Sequence, residues 1–131
     1  MTDDFRLAAK ACILCDDRLL AVRRAAEDVQ KPGIWELPGG RLQPGEEPRN
    51  GLAREVREET GLAVTVEEPL TVRHFQRDDG QTITMICFRA TPDSSEVSLS
   101  GEHTAYDWVP LKSAKERLDS FFKREIDACR D

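Results

Sequence analysis

The sequence predicts a mixed-sheet α/β (α+β) domain, and three observations carry that reading. Short apolar runs rich in β-branched residues recur along the chain. A polar segment over residues 47–60 has helix signals at both ends. Residues 112–129 place their apolar side chains at helical spacing.

The elements follow in order. Residues 6–15 (RLAAKACILC) and 18–24 (RLLAVRR) are apolar strands joined at Asp16-Asp17, a hairpin signal. Residues 25–34 are polar and contain Pro32-Gly33, so they read as a loop. WELPGG is a short extended piece ending in a turn. Residues 47–60 read as a helix, with Pro48 in its first turn and Gly61 at its C-terminal stop. Residues 62–76 hold two strand-like pieces, LAVTV and LTVRHF, around Pro69. Arg77-Asp78-Asp79-Gly80 is a turn, TITMICFRA (82–90) a strand, and TPDSSE a loop. TAYDWV (104–109) reads as the last strand. Ala114, Leu118, Phe121, Phe122, Ile126 and Cys129 then predict one amphipathic C-terminal helix. There is no repeat, linker or low-complexity segment, so residues 1–131 are expected to form a single domain.

Composition narrows the function. Hydrophobic residues make up 39% and charged residues 34% of the chain, as in a soluble protein with a charged surface. The net charge of −6 argues against nonspecific nucleic-acid binding, which needs a basic surface. A phosphate-bearing ligand would have to be met by local arginines or metal ions. No apolar run is long enough to cross a membrane, and the N-terminal MTDDFR has no apolar signal segment. Cys12 and Cys15 form a CxxC, but strand positions three apart face opposite sides and no second CxxC exists. Reduced thiols and a cytoplasmic location are the expectation.

The stretch GRLQPGEEPRNGLAREVREETGL, Gly40 to Leu62, concentrates the chemistry. On a helix, Glu55, Glu58 and Glu59 share one face, and like charges at that spacing repel. A cation among them would offset that cost. Mg²⁺ takes carboxylate oxygens together with substrate phosphates. Arg54 could pair bidentately with Glu46 and hold the preceding loop against the helix. Gly39, Gly40 and Gly45 permit a backbone path closed to other residues, and a carbonyl of that loop could face the metal. The plainer reading is an exposed acidic helix face balanced by Arg49, Arg54 and Arg57.

The spacing decides between them. Five residues separate Gly40 from Glu46, and seven more lead to Arg54-Glu55-Val56. Arg57, Glu58-Glu59, Thr60 and Gly61-Leu62 follow. This resembles, without a departure, the signature of the Nudix hydrolase family: G, five residues, E, seven residues, REU, one residue, EE, one residue, GU, with U aliphatic. LLAVRRAAED and WELPGG resemble the MutT-like branch. Gly51 differs from the alanine more usual there, and it could allow closer packing of helix on sheet.

The resemblance implies a mixed β-sheet sandwiched between helices (α/β/α), with the box over residues 40–62 as loop–helix–loop. It implies Mg²⁺-dependent hydrolysis of a diphosphate linkage in a nucleoside-diphosphate derivative, with Mn²⁺ as the substitute metal. Glu55, Glu58, Glu59 and the Gly40 carbonyl would hold the metal, with Glu59 solvent-facing. The general base would be Glu55 or Glu102, and Glu102 would also be a further metal ligand. Arg24 matches a substrate-contacting arginine of the branch. Arg23 beside it is the second candidate, though strand alternation lets only one of the two reach a ligand. Gly39, Glu46 and Arg54 would support the site. His103 reads as an ordinary loop histidine. Trp35, Phe75, Phe88 and Tyr106 are the aromatic candidates for stacking on a base.

Substrate marks are mostly missing. The asparagine that reads oxidised guanine has no counterpart, since Asn50 inside the box is the only asparagine. Marks of the ADP-ribose, dinucleoside-polyphosphate and NADH branches are absent as well. A (deoxy)nucleoside triphosphate, cleaved to monophosphate and pyrophosphate, is the leading expectation. ADP-ribose or a nucleotide sugar is the alternative. A non-catalytic nucleotide-binding regulatory module is the alternative from another class. The expected partner is a small nucleotide, with neither nucleic acid nor membrane. Monomer and homodimer both stay open.

Overall fold

The computed structural model describes residues 5–26 and 32–130. Residues 27–31 of the expected polar loop lie outside the described residues. Among the described residues, seven strands and three α-helices follow in order: β1 (Phe5–Cys15), β2 (Arg18–Arg24), β3 (Trp35–Glu36), β4 (Gly39–Arg41), α1 (Pro48–Thr60), β5 (Val64–Gln76), β6 (Thr82–Pro92), β7 (His103–Pro110), α2 (Ala114–Arg117) and α3 (Lys123–Arg130). The sheet order is β3-β2-β1-β6-β5, with β4 paired to β1 and β7 paired to β2.

The expected hairpin exists but stays paired only near its turn. Asp16 takes a φ of 56°, and Leu14 and Cys15 pair with Leu19 and Arg18. The strands then diverge. β1 runs parallel to β6 from Phe5 to Ile13 and antiparallel to β4. β2 runs antiparallel to β7 and β3. β1 therefore joins the two halves of a mixed sheet.

Alternation sorts β1 into two faces. Ala9, Ala11 and Ile13 pack with Leu52 and Val56 of α1, Leu62 and Phe88. Cys12 packs with Cys87 and with Phe122, Ile126 and Cys129 of the C-terminal segment. Leu52 and Val56 are fully buried, and burial of such a side chain contributes about 1.5–3 kcal/mol. Helices thus lie on both faces. The C-terminal helices cover only the Cys12–Cys87 end of their face. Ala8, Lys10, Ile83 and Met85, further along the same face, stay open as the floor of a cavity.

Helix α1 starts where the sequence says. Glu47 caps it, its carboxylate accepting from the Arg49 and Asn50 amides at 3.0 Å each. Gly61 ends it in the left-handed conformation at φ 75°, donating its N–H to the Arg57 carbonyl.

Two expectations need correction. The two pieces around Pro69 are one strand, β5, whose register with β6 shifts between Val66 and Thr71. A bulge tolerates proline because no ladder donor is needed there. The single C-terminal helix is instead broken. Leu118 is extended, at φ −84° and ψ 158°. The Asp119 amide donates to the Trp35 carbonyl at 2.9 Å, and its carboxylate accepts from the Phe121 amide at 3.1 Å. Asp119 thus restarts the chain as a 3-10 turn over Ser120–Phe122 before α3. A bond to a distant strand outweighs the helical pattern.

Candidate functional site

The cavity encloses about 920 Å³ and draws on residues from every part of the chain. Its construction begins at Gly39-Gly40, which open strand β4 where WELPGG was expected to end in a turn. Gly39 has φ 127°, and a Cβ there would lie 2.2 Å from the Ala9 carbonyl oxygen. Only glycine allows β4 to come this close to β1. The Gly39 N–H donates to the Glu59 carboxylate at 3.0 Å, tying the start of β4 to the last turn of α1. A Cβ on Gly40 would sit 3.2 Å from Glu55 Oε2. The absent side chain leaves room between that backbone and the carboxylate.

Arg54 holds the box together. Its Nε and Nη2 donate to the two oxygens of Glu46 at 2.7 and 3.0 Å, the fork expected from the sequence. Its Nη1 reaches Glu58 at 3.1 Å and its Nη2 reaches Glu55 at 3.3 Å. Arg54, followed by the Gln43 amide, keeps Glu46 ionised down to about 2. Gly51 has a different role from the one expected. A Cβ there would meet Leu42 Cδ2 at 2.5 Å and Glu46 at 2.8 Å, so the missing side chain admits the preceding loop rather than the sheet.

The three box glutamates differ. Glu58 is exposed, with 59% of its side chain accessible. Glu55 is half-buried. Burial raises its pKa, Arg54 opposes, and the charges of Glu58 and Glu102 add to the rise. Glu59 is buried, not solvent-facing as expected. Gly39 at the start of β4 bonds its side chain, and the Ser100 amide donates to its carbonyl at 3.1 Å. Burial pushes its pKa up to about 7, against the opposing effects of Lys10, the Gly39 N–H and His103. The only hydrogen-bond partner of its carboxylate among the described residues is the Gly39 N–H.

Glu102 joins this group through its loop. The Ser98 and Ser100 amides donate to the carbonyls of Thr60 and Glu59 at 2.8 and 3.1 Å. The end of α1 thereby anchors the segment that carries Glu102 to the cavity.

A second polar cluster, not read from the sequence, lines the same cavity and adjoins Glu59 through Gly39. Glu36 is buried and accepts from Lys10 Nζ at 3.2 Å, Arg24 Nη1 at 3.2 and 3.4 Å, and His103 Nε2 at 2.9 Å. Burial pushes its pKa up, but Lys10, His103 and Arg24 outweigh that and hold it at about 2. Lys10 also donates to the carbonyls of Leu37 and Gly39, at 3.1 and 3.3 Å. This buried ammonium fixes the chain leading into Gly40. His103 is no loop residue: it opens β7 and is buried, with its Nδ1 unpartnered among the described residues. Such a cluster is hard to find from sequence, because its members come from β1, β2, β3 and β7. The available signal was a lysine and a glutamate inside otherwise apolar strand-like runs.

The two arginines separate as alternation requires. Arg24 lines the cavity, whereas Arg23 is exposed and donates to the Gly33 carbonyl at 3.1 Å. Of the aromatic candidates only Phe75 lines the cavity, beside Phe121 and Phe122. Phe75 and Phe121 meet edge-to-face at 5.0 Å. Phe88 packs on the α1 side, Trp35 packs beneath Arg117, and Tyr106 is exposed. The four cysteines are free thiols, with Cys12 buried and Cys15 half-buried.

Oxygen atoms of Gly40, Glu55, Glu58, Glu59 and Glu102 could hold a hard divalent cation. The set is all-oxygen and open to the cavity, which suits a metal that completes its shell with water and phosphate. Among the described residues no group of three or more histidine, cysteine, aspartate or glutamate side chains is arranged to hold a metal ion as it stands.

The NUDIX domain model matches residues 4–128. A MutT-like protein from Streptomyces ambofaciens is 40% identical over 86% of this chain and 69% of its own length. A CTP pyrophosphohydrolase from Escherichia coli is 35% identical, covering 79% of this chain and 75% of its own. The crystal structure of a MutT protein from Methanosarcina mazei superposes with a TM-score of 0.87 at 27% identity, covering 99% and 96% of the two chains.

Proposed function

Because the chain belongs to the Nudix hydrolase family, we propose that it is a Mg²⁺-dependent pyrophosphohydrolase cleaving a (deoxy)nucleoside triphosphate to monophosphate and pyrophosphate. The observation that carries this is Glu59: a buried carboxylate, beside Glu55, with a backbone amide as its only hydrogen-bond partner among the described residues. An ionised group so placed calls for a cation. The family generally uses divalent metal ions.

Gly40, Glu55, Glu58 and Glu59 are the proposed metal ligands, with Glu102 completing the set. When bound, the metal supplies charge neutralisation at the diphosphate and activation of water. The protein supplies the rest. Arg24, which lines the same cavity and is steadied by Glu36, meets the phosphates. The apolar floor of Ala8, Ile83 and Met85, with the Phe75 and Phe121 rings, accommodates a base. Glu102 takes the proton of the attacking water. It is exposed, as Glu58 is, but Arg54 engages Glu55 and Glu58 and not Glu102. The water oxygen bonds to phosphorus, the P–O bond between the first two phosphates breaks, and pyrophosphate leaves. A triphosphate substrate agrees with the Escherichia coli relative, whose name specifies CTP.

The test is product analysis with Mg²⁺ on ordinary and oxidised nucleoside triphosphates, ADP-ribose, nucleotide sugars and dinucleoside polyphosphates. The reading predicts monophosphate and pyrophosphate from a triphosphate, far faster than turnover of the rest. Preference for ADP-ribose would overturn the substrate while leaving the glutamate roles in place.

A further inference from the structure

The cavity has one charged feature that neither the glutamates nor the Glu36 cluster explains. Arg41 follows Gly40 directly, and Arg77 begins the turn between β5 and β6. Both line the cavity. The turn is tightly built: the Arg77 amide donates to the Gln81 carbonyl at 2.8 Å, and the Gly80 amide donates to the Arg77 carbonyl at 2.9 Å. Asp79 accepts from Arg77 through Nε and Nη2 and from the Gln81 amide at 3.1 Å. Arg41 Nη2 donates to the Gln81 side chain, bringing β4 and the turn together. Two guanidinium groups are thus held near each other, with Arg6 adding to the repulsion. Arg41 is exposed; partial desolvation first, and then Arg77 and Arg6, lower its pKa, with Asp79 opposing. Asp78 also lines this end. In a chain of net charge −6, arginines gathered against their mutual repulsion mark a place for an anion.

We propose that Arg41 and Arg77 form an anion subsite that takes the terminal phosphate of a nucleoside triphosphate. The inference rests on the triphosphate reading above. Arg41 follows Gly40 in β4, and the two line the same cavity. Asp79 fixes the edge of Arg77 formed by Nε and Nη2, which leaves Nη1 for the ligand. Guanidinium groups pair with phosphate oxygens through directed, charge-assisted bonds. The subsite would favour triphosphates over diphosphates of the same nucleoside.

Two readouts test it. The first is the ratio of kcat/KM for a nucleoside triphosphate to that for its diphosphate. The second is calorimetric binding of inorganic tripolyphosphate without Mg²⁺, which needs no turnover. Arg41→Gln and Arg77→Gln should each lower the ratio about tenfold through KM, the size expected for one charged hydrogen bond. Both should also weaken tripolyphosphate binding. Arg49→Gln is the charge control, because Arg49 lies over Phe88 on the α1 side. It should change neither readout. An unchanged ratio and unchanged tripolyphosphate affinity in both variants would overturn the subsite, as would equal losses in the control. If the wild type hydrolyses no triphosphate but the two variants still lose tripolyphosphate, the anion site stands and the triphosphate reading fails.

Discussion

Glu36 and Glu59 line one cavity and are almost equally buried, at 4% and 5% exposed. Their pKa values nevertheless move apart, to about 2 for Glu36 and about 7 for Glu59. Burial acts upward on both. The difference is the company. Glu36 touches an ammonium, a guanidinium and an imidazole. Glu59 touches one backbone amide. The first is a charge-balanced cluster, whose Lys10 ammonium holds the chain leading into Gly40. The second is a carboxylate left short of positive charge, next to half-buried Glu55. Burial therefore does not distinguish a scaffold from a site, whereas the balance of charge around the buried group does.

The largest expected effect separates the two roles. Glu59→Gln keeps an acceptor for the Gly39 amide and removes the charge. Turnover with Mg²⁺ should fall by about 10³-fold or more, the scale of losing one strong electrostatic contact to the reacting group. The fold should survive, as read by circular dichroism. Unchanged turnover would remove Glu59 from the site.

Lys10→Met attacks the charge-balanced cluster instead. It leaves a buried Glu36 short of its ammonium, and breaking such a pair costs about 3–5 kcal/mol. Urea unfolding should show that loss, with Mg²⁺ affinity falling only as far as Gly39-Gly40 shift. A loss of less than 1 kcal/mol would mean that Arg24 and His103 suffice.

Gly51→Ala should cost about 1–3 kcal/mol by forcing Leu42 and Glu46 away from α1. The disturbance should reach turnover through the Glu46–Arg54 fork. A gain in stability, as helix propensity alone would give, would show that the loop yields freely.

The smallest effect is a pair of opposite pH slopes in metal-free protein. Glu36 has a lowered folded pKa, so its stabilisation is present above 4.5 and is lost as pH falls toward about 2. Glu59 has a raised folded pKa, so its contribution is present below 4.5 and is lost as pH rises through about 7. Thermal unfolding from pH 5 to 8 should decline for the wild type, and Glu59→Gln should remove its share of that decline. Parallel curves would contradict the charge imbalance.

Much of this was legible where the chain's own pattern decides. The glutamate spacing, the Glu46–Arg54 fork, the Pro48 and Gly61 ends of α1 and the Asp16-Asp17 turn depend on residues near one another. The misses depend on distant partners. Glu59 is bonded by Gly39 at the start of β4, and the Ser98–Ser100 segment anchors its helix turn, so a helical wheel alone leaves it outside. Lys10, Glu36 and His103 meet only after β1, β3 and β7 assemble. The C-terminal helix breaks because Asp119 finds the Trp35 carbonyl, a contact that apolar periodicity does not encode.

The most direct test is a carbon-13 NMR titration of the glutamate side-chain carboxyls, with and without Mg²⁺. Without metal, Glu36 should titrate near 2 and Glu59 near 7. Mg²⁺ should shift the Glu59 titration sharply downward and leave Glu36 in place. Two carboxyls titrating together near 4.5, or a Glu59 indifferent to Mg²⁺, would contradict the account.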